Sequence, residues 1–208
     1  MAHWSPRKHW LVGATLVTAA AVALMAAQWG QGWPAVVPPT ELSDVCVVAP
    51  PTRYDPAWGV GLHDPRPIPA DARCPVCGMF PARSPQWAAQ VVFEDGATQF
   101  FDSPVSMFTY LGAVERYAAG RSVGQIVAQY VKDSSTDRWW PAQQAFYVNG
   151  SNALGPMRAG NLPAFAREDD AQHFAQQRGG QVMSAHHITP ALLRTLAGHA
   201  HHAQPGAR

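Results

Sequence analysis

Trp10–Trp29, WLVGATLVTAAAVALMAAQW, is a run of twenty residues without a single charge, and it constrains this chain more than any other segment. As a helix rising about 1.5 Å per residue it would be about 30 Å long, the thickness of a bilayer's hydrocarbon core. Arg7 and Lys8 precede the run, and the first charges beyond it are Glu41 and Asp44. That asymmetry predicts a cytoplasmic amino terminus over residues 1–9, an uncleaved transmembrane anchor or signal over 10–29, and export of the remainder. A cleaved leader is the rival. Ala21 and Ala23 would suit a peptidase but leave a short apolar core, and the sites near Ala26 and Ala27 place Leu24 or Met25 at the outer position. Cys46 is poorly placed for lipid attachment, because it lies far beyond Trp29 with Asp44 two residues before it.

Residues 30–70 hold nine of the 19 prolines, so they read as an extended, stiff tether, with Trp33, Tyr54 and Trp58 available to dock it. Only 14% of the chain is charged and the formal net charge is +1, which argues against a nucleic-acid partner. Three cysteines are too few for a disulfide scaffold.

The region 71–195 alternates short strand and helix signals. Residues 88–94 and 97–101 flank Asp95-Gly96, a hairpin turn. A helix is predicted over 104–117, with Ser103 as its cap and Pro104 at its first position, followed by a strand over 123–131. The order then repeats: strands over 145–148 and 151–154 around Asn149-Gly150, a helix over 168–177 ending at Gly179-Gly180, and a strand over 181–184. A last helix starts at Pro190 and runs to about Ala197. Two hairpin-plus-helix units in one α+β domain are expected, followed by a flexible tail at 196–208 that carries His199, His201 and His202.

The chemistry gathers at Arg73–Phe80, RCPVCGMF. Cys74 and Cys77 are two residues apart across a turn containing Pro75, and Met79 adds a thioether. Thiolate and thioether are soft donors that select Cu(I) or zinc over hard cations, and methionine favours Cu(I). A redox pair, a structural disulfide and a structural zinc site completed by histidine are the competing readings. The pair precedes the hairpin instead of opening a helix after a strand, unlike a thioredoxin-type motif. Met157 follows the Gly155-Pro156 turn, where a loop can present it. His187, beside His186, is a further candidate ligand. Met107 and Met183 read as core, and Asp102 as support for the neighbouring turn. The sequence has no phosphate loop, no H-E-x-x-H and no G-x-S-x-G, so no catalytic site is expected.

CPVCGMF at 74–80, PQWAAQVVFEDGATQFFDSPVSMFTYL at 85–111 and AFYVNGSNALGPM at 145–157 together resemble the NosL family, copper-binding accessory proteins for assembly of periplasmic nitrous-oxide reductase. The resemblance runs from about Asp71 to Leu193, through QVMSAHHITPALL. It implies two ββαβ-like units and a Cu(I) carrier, with Cys74, Cys77, Met79 and Met157 as ligands and the reductase or its maturation machinery as partner. It implies a periplasmic domain; the family commonly uses a lipid anchor, and this chain departs from that form through the single-pass inner-membrane helix read at 10–29 and its proline-rich tether. A membrane-tethered thiol–disulfide oxidoreductase built on Cys74 and Cys77 is the alternative.

Overall fold

The hairpin signalled by Asp95-Gly96 nucleates the larger of two antiparallel sheets. In the computed structural model, which describes residues 49–158 and 160–202 (side chains to Ala197), β1 (Ala89–Phe93) pairs with β2 (Thr98–Phe101) across that turn. Gly96 supplies the left-handed φ of +76° that the turn needs. β3 (Ile126–Lys132) and β4 (Trp139–Pro141) complete the order β2-β1-β3-β4. The smaller sheet has the order β6-β5-β7, from β5 (Phe146–Asn149), β6 (Ala164–Phe165) and β7 (Gln181–Ser184). A bridge between Asp133 and Ala164 joins the two sheets.

Ser103 caps α1 (Pro104–Leu111), its hydroxyl accepting from the Ser106 N–H at 3.3 Å, with Pro104 at the first turn as the sequence predicts. The helix expected over 104–117 is interrupted. The chain leaves α1 at Gly112 and Ala113 and makes a further single turn, α2 (Val114–Tyr117). α3 (Glu168–Arg178) packs on β5, β6 and β7, and α4 (Pro190–His202) packs on α1.

Each half of the domain therefore follows the order strand, strand, helix, strand, in agreement with the expected α+β class. The second hairpin is a correction. Residues 151–154 form no strand, and β5 pairs instead with Ala164–Phe165, beyond a long loop. Gly155 and Pro156 bend the intervening chain into a turn, which removes it from the ladder.

Ala89, Val91, Phe93, Phe101, Met107 and Tyr110 pack with Tyr147 and Leu162 in one core that spans both halves, so Met107 is core as expected. The opposite face of β1 and β2 is buried too, at Gln90, Val92, Thr98 and Phe100. What covers it is the second half of the expected tether. Thr52 adds a bridge to Thr98, with both N–H···O bonds at 2.8 Å. Arg66, fully buried, receives the Gln90 side chain through its own backbone and donates its guanidinium to Thr98 Oγ1 at 2.7 Å. The Tyr54 and Trp58 rings flank that guanidinium, its carbon 4.9 and 5.7 Å from their centroids. Residues 52–68 are thus a strap belonging to the domain, and Tyr54 and Trp58 do dock it. The span at 10–29, Trp33 and Cys46 lie outside the described residues, as do residues 203–208 of the tail. Among the described residues no helix is long and apolar enough to cross a membrane.

Candidate metal centre

The Cys74–Met79 segment closes on itself as a small loop. The Gly78 N–H donates to the Cys74 carbonyl and the Cys74 N–H to the Met79 carbonyl, each at 2.8 Å. Gly78 sits at a φ of +73°, a conformation that a side chain would strain. The loop turns Cys74 into the core, fully buried, and leaves Cys77 half-buried at a cleft; both are free thiols.

Asp102 meets Cys77 from the end of β2. The Cys77 thiol donates to Asp102 Oδ1 at 3.2 Å, and the Ser106 hydroxyl approaches Cys77 Sγ at 4.0 Å from α1. Asp102 is fully buried, and its Oδ2 has no hydrogen-bond partner. An unpartnered acceptor is costly in an apolar surround, about 1–3 kcal/mol, and is expected where a proton or a cation is to be received. Cys74, Cys77 and Asp102 offer ligand atoms within 4.8 Å of one another, the one such trio among the described residues. Sequence reasoning assigned Asp102 to the turn and missed this contact. Its position directly before a helix cap resembles a routine acidic start, while the thiol it meets lies 25 residues away.

The Cys77 thiol has its pKa pushed up, first by the hydrogen bond with Cys74, then by burial and by the charges of Cys74 and Asp102. Cys77 is therefore not the low-pKa nucleophile that thiol exchange uses. A Cys77 thiol that keeps its proton beside a buried carboxylate fits a cation that displaces that proton.

The cleft in front of Cys77 and Asp102 has a volume of about 390 Å³, with Val76, Ser106, Met157 and Leu196 among its lining. Met157 is 48% exposed and reaches the cleft from the Gly155-Pro156 turn, as its loop setting predicts. The loop's path is fixed by close packing: a side chain at Gly155 would collide with the buried Asn161 amide. Two of the expected ligands are thus brought to one cavity from sequence positions 77 and 157.

The others lie elsewhere. Met79 is half-buried beside the loop and is not part of the cleft lining. His187 is exposed and lines a second, shallower cleft with Phe146, Glu168 and Met183, so the structure does not bring it to the cysteines. Among the described residues no histidine joins the cysteines to complete a four-ligand zinc set.

A family model described as NosL matches residues 65–193. The copper-binding lipoprotein NosL of Stutzerimonas stutzeri is 30% identical over 154 residues, covering 71% of this chain and 77% of that protein. A protein of the same name from Achromobacter cycloclastes is 29% identical over 130 residues, covering 57% and 64% of the two chains. Among solved structures, the copper chaperone NosL from Shewanella denitrificans superposes with a TM-score of 0.53 at 23% identity, covering 62% of this chain and 98% of that one, a likeness of fold.

Proposed function

The chain belongs to the NosL family, and on that premise we propose that it is a non-enzymatic carrier that takes up one Cu(I) as cargo in the Cys77–Met157 cleft and releases it to a copper-requiring partner. The observation that carries the reading is the pairing of two free thiols with a buried carboxylate on one side of a cleft and an exposed thioether on the same cavity. The names of its relatives as copper-binding proteins and as a copper chaperone support it.

Cys77 is the principal ligand in this reading, with Cys74 behind it, Met157 at the open side and Met79 adjacent. Soft sulfur donors favour the monovalent ion. Asp102 is a hard donor, better suited to orient Cys77 through their hydrogen bond than to hold Cu(I) itself. Met157 is the ligand closest to solvent, so a partner's thiol or imidazole can replace it before Cys77 lets go. Ligand exchange of this kind needs no turnover.

The expected client is nitrous-oxide reductase or its maturation machinery. The expected setting is the periplasm, with residues 10–29 as a single-pass inner-membrane anchor in the role that lipid plays in the relatives named lipoproteins. The test is titration of the reduced protein with Cu(I) against a competing chelator, repeated with Cys77→Ser and Met157→Leu. Stoichiometric binding lost in Cys77→Ser and weakened in Met157→Leu supports the carrier. Failure to compete, or equal binding by all three proteins, removes it.

A further inference from the structure

His186 and His187 do not serve the cysteine cleft, yet they are held together. They follow β7 on a short 3-10 turn, Ala185–His187, whose Ala185 is buried in the core. The two rings lie with centroids 4.0 Å apart, tilted by 44°. Both converge on one hydroxyl: Ser184 Oγ lies 3.0 Å from His186 Nδ1 and 3.0 Å from His187 Nδ1. It also lies 3.3 Å from His186 Nε2. Ser184 precedes the turn without capping it, so its hydroxyl is left for the imidazoles. Two exposed histidines would ordinarily spread into solvent, since ordering both costs side-chain entropy. His187 and Ser184 line a cleft with Glu168 and Met183, but Glu168 does not come close enough to both imidazoles to make a three-ligand cluster.

We propose that His186 and His187, oriented by Ser184, form a second metal site, separate from the cysteine cleft and selective for imidazole-seeking divalent cations of the Cu(II), Ni(II) and Zn(II) class. Imidazole nitrogen is the donor these borderline ions share, whereas the monovalent ion is drawn to sulfur. Both histidines are exposed, so water completes the coordination. It does not depend on the carrier reading of the cysteine cleft.

The probe is Ni(II), which does not oxidise the protein's free thiols as Cu(II) would. Histidine-ring NMR signals of the full chain are followed during titration. The His186 and His187 rings are expected to respond together, at lower Ni(II) than His173, an exposed histidine of α3. His187→Gln should abolish the early response at His186, and Ser184→Ala should weaken it about 10–100-fold, as loss of an orienting partner does. All three residues lie outside the buried core, so far-UV dichroism should be unchanged. The proposal is overturned if the pair responds no earlier than His173, or if His186 responds unchanged in His187→Gln. A variant lacking His199, His201 and His202 should keep the early response; its loss there would assign the metal to the C-terminal histidines instead.

Discussion

Asp102 is the residue on which the site turns. Asp102→Asn keeps the side chain's shape but removes its charge and the acceptor character of one branch. Cu(I) affinity is expected to fall about 10–100-fold, the usual cost of losing a partner that tunes a metal ligand. The melting temperature of the copper-free protein should hold or rise, because a buried, half-satisfied carboxylate is gone. Opposite signs in the two measurements would separate a metal-handling role from a structural one. Cys77 gives the pH dependence. In the unfolded chain a thiol ionises near about pH 8.5, whereas in the fold Cys77 keeps its proton to higher pH. The unfolded state then binds fewer protons, so copper-free stability should decline as pH rises above that value. Burial also holds Tyr110 up to about 12 and raises Tyr147, adding to the decline at higher pH. In the proposed carrier Cu(I) takes the place of the Cys77 proton, so the loaded protein should lack the Cys77 part of the loss. Thermal melts from pH 7 to 10.5, with and without Cu(I), check this.

At the scale of elements, two loops make the cleft, and they were legible to different degrees. The cysteine loop announced itself through residue chemistry and the turn at Pro75. The Gly155-Pro156 turn was visible, and with it the presentation of Met157. The false strand at 151–154 arose because Asn149-Gly150 looks like a hairpin turn, whereas the true partner of β5, Ala164–Phe165, is too short to carry a periodic signal. The Cys77–Asp102 contact was not legible, since neither residue's neighbours specify how β2 and the cysteine loop meet. The packing of Gly155 on Asn161 makes a test of the second loop. Gly155→Ala should displace Met157 and lower Cu(I) affinity. Far-UV dichroism should be retained, and destabilisation should stay within about 1–3 kcal/mol, the usual cost of overpacking. A chelator competition beside a urea melt reads both quantities.

For the whole molecule, the sequence placed the domain's start at 71, and the structure carries the packed chain back to Thr52. Proline content hid the strap. It excludes regular helix and central strand, as expected, but does not exclude close packing against a sheet. The buried arginine at its centre is the kind of residue that pattern alone assigns to solvent. A chain beginning at Asp71 would bare Val92 and Phe100, each worth about 1.5–3 kcal/mol of burial. It is expected to be strongly destabilised or insoluble, whereas a chain beginning at Ala49 should melt cooperatively. Differential scanning calorimetry of the two truncations decides the boundary.

The cleft draws Cys77 from the hairpin half of the domain and Met157 from the other, 80 positions later in the chain. Cu(I) held by both, as proposed above, would be a removable cross-link between the two halves. By mass action, whatever binds the native state and not the unfolded one lends it stability. An empty molecule would then open more readily along the seam than a charged one. A recipient that recognises the closed seam could tell a full carrier from a spent one without touching the metal first.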